Sequence, residues 1–187
     1  MKRALLLISF LIISFSGNAQ TSIGFETQIY PAGAITGLRF DLGITSNLNI
    51  TSRVAYNVTD RKDWGEHESE EGEGPGFSLG FERTDFLVVK NLSLTVRSDF
   101  WFLEIDWTDR PTGPALCGAL PCPNRVGSTD ITVFQPTIGL AYSMPLSDKI
   151  FVKPTLSFGY EINVKTEGES VGEGAILLGG FHFGFRL

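Results

Sequence analysis

His67-Glu68-Ser69 sets a base two residues from a hydroxyl nucleophile, with Glu70 or Glu71 near enough to orient the ring. That is the chemistry of acyl transfer or hydrolysis. The triplet sits in an acidic stretch, residues 59–76, that holds Asp60, Asp63, Glu66, Glu68, Glu70, Glu71 and Glu73. Such oxygens suit calcium, but the ordered Asp-x-Asp-x-Asp-Gly spacing of a calcium loop is missing. The stretch therefore reads as a solvated polar loop, with no catalytic residues and no resident metal. Cys117 and Cys122, in Cys-Gly-Ala-Leu-Pro-Cys, are either a disulfide closing a tight loop or half of a metal site. Without nearby His or Cys to complete a metal site, the disulfide is the reading kept. The glycines match neither a dinucleotide fingerprint nor a phosphate loop, so no cofactor is implied. Asn-x-Ser/Thr triplets at Asn49, Asn57 and Asn91 read as chance, since the first two fall on a strand face with no room for a glycan.

The remaining candidates are charges spaced two apart. Glu26, Arg39, Asp41, Arg53, Glu82, Arg97, Asp99, Lys153, Glu161, His182 and Arg186 all fall on the polar side of segments whose other side is apolar. A period of two is the signature of a strand. Eight segments show it: residues 23–30, 38–44, 48–58, 77–82, 92–102, 134–142, 150–164 and 177–187. In the fifth the phase blurs at Phe100-Trp101-Phe102, where a bulge is expected to switch the faces. Connections near 45–47, 85–91 and 144–149 are short, whereas 59–76, 105–128 and 165–174 are long and polar. Pro31–Ala34 is the one short connection among the long ones.

The N-terminus names a compartment. Lys2 and Arg3 precede an apolar run, Ala4 to Ser16, which ends in Gly17-Asn18-Ala19. That is the layout of a secretory signal peptide, expected to be cut after Ala19. Losing Lys2 and Arg3 makes the chain two charges more negative than its formal −6, a poor field for nucleic acid. Residues 20–187 then form one domain. They contain no apolar run long enough for a membrane helix, so any crossing must use strands.

Alternation alone does not say which face is inside. In a soluble ligand-binding barrel the apolar face lines the interior; in a membrane barrel it meets lipid. The apolar face here is rich in Phe, Tyr and Trp near strand ends, as an interfacial girdle requires. The polar faces carry acids and bases in equal measure, and the excess acid lies in the connections. Buried charges must be paired, so a balanced set fits an enclosed lumen. The expected fold is an all-β, eight-stranded antiparallel transmembrane up-and-down barrel. Its lumen is expected to be plugged by ion pairs rather than open.

The last strand alternates Phe181, Phe183, Phe185 and Leu187 up to the final residue, like the terminal signal read by outer-membrane assembly machinery. Leu187 departs from the Phe that usually ends that pattern. With the export signal, the chain resembles the small bacterial outer-membrane barrels of the OmpA and OmpX type, across residues 20–187, without an appended peptidoglycan-binding domain. The resemblance implies a place in the outer membrane of a Gram-negative envelope, with both termini periplasmic. It also implies contact with membrane lipid and lipopolysaccharide, the assembly machinery as a transient partner, and an envelope protein as a possible lasting one. A structural, adhesive or partner-binding role without enzymatic activity follows. His67-Glu68-Ser69 separately resembles the His-x-Ser arrangement of outer-membrane lipid A deacylases, which keeps a lipid-modifying hydrolase as the competing reading.

Overall fold

The computed structural model describes residues 21–62, 65–110 and 123–187. The expected signal peptide, Cys117 with Cys122, and Asp63 lie outside the described residues. Eight long strands are joined in one antiparallel sheet: β1 (Ser22–Tyr30), β2 (Gly33–Thr45), β3 (Leu48–Lys62), β4 (Ser69–Arg83), β5 (Leu92–Asp109), β6 (Arg125–Tyr142), β8 (Ile150–Glu167) and β9 (Gly174–Arg186). A two-residue β7 (Met144–Pro145) pairs with the start of β8. Consecutive strands pair, β6 pairs with β8 across that dipeptide, and β9 returns to β1, so the sheet closes on itself and leaves no long edge.

The faces sort by chemistry, as the alternation requires. Outward positions are apolar and open: Ile29 is 66 % exposed, Val54 64 % and Phe158 56 %. Inward positions beside them are ionic and shut: Glu26, Asp99 and His182 are each 0 % exposed. That arrangement is the inverse of a soluble barrel, whose oily residues would fill the centre. It excludes the soluble ligand-binding alternative, because water would meet a continuous belt of Phe, Leu, Ile and Val.

Two expectations are corrected. The stretches read as long loops are partly wall, and 59–76 is mostly so. β3 runs to Lys62 and β4 starts at Ser69, β5 runs to Asp109 and β6 starts at Arg125, and β8 runs to Glu167 before β9 begins at Gly174. A strand needs about 9–11 residues to cross a bilayer. β5, β6 and β8 have 18 each, so their far ends project well beyond. There the outward positions become acids, and the apolar alternation ends while the ladder of hydrogen bonds continues. Nor is there a bulge at Phe100-Trp101-Phe102. The register with β4 is unbroken from Glu73↔Glu104 through Gly76↔Trp101 to Arg83↔Leu94. Phase seemed lost because the inward face itself turns apolar above Asp99, with Trp101, Leu103, Ile105 and Trp107 all buried.

Candidate functional site

The lumen has three layers, and the strands place each by register. The lowest is ionic. Glu26 on β1 accepts from three guanidinium groups: Arg39 at 2.9 Å, Arg53 at 2.6 Å and Arg97 at 2.7 Å. Asp99 accepts from Arg53 at 2.8 Å, from Arg97 at 3.0 Å, and from the Ser78 hydroxyl. Asp41 accepts from Arg39 Nε at 2.8 Å and from the Ser22 hydroxyl at 3.1 Å. Glu82 accepts from Arg39 and, at 2.6 Å, from Lys153 Nζ. Four carboxylates thus face four bases in one connected, neutral set that spans the barrel. Ring strands two, three and four apart are tied through it, and every lobe of charge has a partner at hydrogen-bond distance.

Of the eleven charges singled out from the sequence, these eight meet in one network. His182 lies beside it, its Nδ1 4.0 Å from Asp41 and its ring edge-on to Phe151. Glu161 belongs to a higher layer. Arg186 sits half-buried at the turn end, donating to the Asp148 carbonyl at 3.3 Å. Gln28 was not singled out, although it shares the phase of Glu26. Its Oε1 accepts from both Arg53 and Arg97 at 2.8 Å. A neutral amide on the charged face was the available signal.

The middle layer is apolar: Ile35, Trp101, Leu103, Ile105, Ile131, Val133, Ile176 and Leu178 fill the upper lumen. Trp101 joins it to the ions below. Its Nε1 donates to Gln135 Oε1 at 2.9 Å, and the Arg53 guanidinium lies 5.4 Å from its ring.

The third layer caps the barrel. Glu70, fully buried, accepts the backbone N–H groups of Glu66 at 2.8 Å, His67 at 3.2 Å and Gly172 at 3.0 Å. Arg61 reaches Glu70 at 3.3 Å, Glu161 at 2.7 Å and the Gly172 carbonyl at 2.5 Å. Glu70 therefore ties the β3–β4 connection to the β8–β9 connection. Gly65 is required there, since a Cβ would lie 2.3 Å from the Glu70 carboxyl. His67 stacks on Trp107 with centroids 4.2 Å apart. Its Nδ1 is 2.9 Å from Asp109 Oδ2 and its Nε2 is 2.9 Å from the Ser170 carbonyl. Neither ring nitrogen is left to take a proton from Ser69, and Glu70 holds the His67 backbone rather than its ring. The triplet read as a base beside a nucleophile is part of a cap.

Hydrogen bonds from His67 and from the Glu68 N–H hold the Asp109 carboxyl below the usual aspartate range. A carboxyl lowered by folding stabilises above its unfolded value of about 3.9, and that contribution fades as the pH falls through the folded value. Hydrogen exchange should show the Glu68 amide, which donates to Asp109 at 3.1 Å, losing protection from about pH 4 downward. Unchanged protection down to pH 2 would show that this carboxylate does not hold the cap.

On the outer face of the projecting walls, like charges stand in register: Asp60, Glu71 and Asp106 in one row, and Glu73, Glu104, Asp130 and Glu167 in the next. Acids directly opposite one another repel, which only a solvated face tolerates. Of the acids in that stretch, Asp60, Glu71 and Glu73 thus stand on the outer wall, while Glu70 turns inward into the cap. Among the described residues no group of His, Cys, Asp and Glu is arranged to hold a metal.

No family model matches the chain, and no curated protein matches it. Solved structures do. A major outer membrane protein from Thermus thermophilus is similar over 91 % of this chain and 100 % of its own, with a TM-score of 0.58 at 11 % identity. The N-terminal β-barrel domain of Pseudomonas aeruginosa OprF aligns over 90 % of this chain and 98 % of its own, with a TM-score of 0.48 at 15 % identity. Ail, the attachment invasion locus protein of Yersinia pestis, aligns over 90 % and 97 %, with a TM-score of 0.48 at 10 % identity. The chain has the fold of an outer-membrane β-barrel. Within that class it is one of the small, eight-stranded kind.

Proposed function

We propose that this protein is a closed, non-enzymatic barrel of the bacterial outer membrane, whose work is structural or recognition-based rather than conductive. The short turns and both termini then lie in the periplasm, and the projecting walls with their cap lie outside. Supporting this orientation, the two ends differ: β1 begins and β9 finishes at the turn end, where the Leu187 N–H donates to the Thr21 carbonyl, while the 18-residue strands overshoot at the other. The outward-facing Phe181, Phe183 and Phe185 lie on β9 at the seam with β1, with exposed Leu187 just past its end, accessible to assembly machinery during insertion. The belt around them meets lipid and, on the outer side, lipopolysaccharide. A partner of the envelope would meet either the cap or the acid-rich outer wall.

The observation that carries the closed reading is the layer around Glu26, Arg39, Arg53 and Asp99, none more than 3 % exposed. An ion crossing the lumen would have to break several charge-assisted hydrogen bonds at once. Purified protein in planar bilayers is expected to show no steady conductance. A large, stable current per barrel would overturn the closed reading.

A further inference from the structure

The barrel wall is not equally tall all round. The β1–β2 hairpin ends at Tyr30–Gly33, where Gly33 pairs with Thr59 and Ile29 with Gly179. Its neighbours go on: β3 continues to Lys62, and β9 already begins at Gly174. Above the hairpin tip the wall is therefore notched, with Arg61 and Lys62 on one side and Gly174–Leu177 on the other. A crevice of about 590 Å³ occupies the notch.

Its lining shows that it breaches the wall. Phe158 and Leu177 point outward, 56 % and 54 % exposed, and belong to the lipid-facing belt. Tyr30, Glu161 and Ile176 point inward and are less than 10 % exposed. Alternate faces of a strand meet one cavity only where the sheet is interrupted. One buried acceptor in the crevice is unpartnered. Glu161 is 6 % exposed, and while its Oε2 takes Arg61 at 2.7 Å, its Oε1 has no hydrogen-bond partner among the described residues. A buried carboxylate oxygen without a donor is costly, and a ligand that supplies one is favoured there.

We propose that this notch is a lateral lipid site: one acyl chain of an outer-leaflet lipid lies across Phe158, Leu177 and Ile176, and a hydroxyl or N–H at its head donates to Glu161 Oε1. The site is continuous with the apolar belt, so the chain enters sideways from the bilayer without crossing water. The inference rests on the membrane placement proposed above. It is independent of whether the lumen conducts, and the two tests read different quantities.

The test uses native mass spectrometry of the full mature chain released from detergent, titrated with 1-palmitoyl lysophosphatidylethanolamine. That probe carries one chain, a free hydroxyl and an ammonium. The wild type is expected to retain one molecule. Glu161→Gln, which swaps an acceptor for a donor, should bind about tenfold more weakly, the fold-change expected for one hydrogen bond to a charged group. Ala32→Trp/Ala175→Trp, which fills the notch from its floor and side, should retain none. Equal retention by all three would overturn the site. So would equally tight binding of a diacyl phosphatidylcholine, which has no donor to offer.

A second measurement reads the bound lipid directly. With p-benzoylphenylalanine in place of the inward-facing Tyr30, irradiation in native membranes should yield a lipid adduct. An adduct to a second copy or to another protein, or no adduct, would overturn the proposal.

Discussion

Glu26→Ala is expected to destabilise the barrel by about 3–5 kcal/mol, the range for removing one side of a buried ion pair. Glu26 is the only carboxylate in the described lumen that touches three arginines. Without it Arg39 keeps Asp41 and Glu82, and Arg53 and Arg97 keep Asp99 and Gln28. Each retains a partner, but three carboxylates then face four bases, leaving one positive charge uncompensated in a buried layer. The loss is therefore chiefly uncompensated charge, not missing contact area. Urea unfolding of protein folded into phospholipid vesicles, followed by tryptophan fluorescence, measures it. Lys165→Ala serves as the control, because its pair with Glu167 is solvent-exposed and should contribute nothing measurable. If the two variants unfolded at the same urea concentration, the lumen network would not be energetically coupled to the fold. The ion pairs add no stability over an apolar plug of the same volume, which could serve as well. Once present, the set must be kept or lost together.

Trp101→Ala is the second large effect, expected at about 3–5 kcal/mol for truncating a fully buried tryptophan. Trp101 stands between the ionic and apolar layers, so its removal leaves a cavity bounded by Arg53 below and by the ring of apolar side chains above. It also strands the Gln135 carbonyl that its Nε1 satisfies. Water entering that space would solvate the Arg53–Asp99 pair and loosen the plug. Brief conductance bursts, absent in the wild type, should accompany the lower urea midpoint. Trp101→Phe keeps one aromatic ring and loses the Nε1 donor with part of the indole volume, so it should cost less than Trp101→Ala and stay silent in the bilayer. A Trp101→Ala barrel as stable as the wild type would show that the upper lumen repacks freely and that the layers do not support each other.

Much of this was legible in the order of residues. Leu38, Phe40 and Leu42 against Arg39 and Asp41 specify both a strand and its faces, because lipid and lumen select opposite side chains at alternate positions. The equal number of acids and bases on those polar faces pointed to a sealed interior. Beyond the bilayer that contrast fails. In Glu71-Gly72-Glu73-Gly74 the outward positions are acids and the inward ones have no side chain, so nothing in hydrophobicity marks the strand, although β4 runs straight through. In β5 the opposite happened: Trp101 and Leu103 turn inward while Phe100 and Phe102 turn outward, and two apolar faces erase the alternation without disturbing the register. The cap was illegible for a third reason. Glu70 meets Gly172 and His67 meets Asp109 and Ser170 across gaps of 42 to 103 positions, set only by how the ring closes. A short motif such as His67-Glu68-Ser69 draws the eye to its own neighbours, but the fold gives its histidine distant ones.

Val54 and Leu79, both on the outward apolar face, must meet hydrocarbon if the barrel spans a membrane. Spin labels on Val54→Cys and Leu79→Cys, made in a Cys117→Ser/Cys122→Ser background and reconstituted into vesicles, report this by collision with paramagnetic relaxers. Both labels should collide readily with oxygen, which dissolves in lipid, and scarcely with a water-soluble nickel chelate. A label at either position relaxed strongly by the chelate and weakly by oxygen would place that face in water and contradict the barrel's orientation.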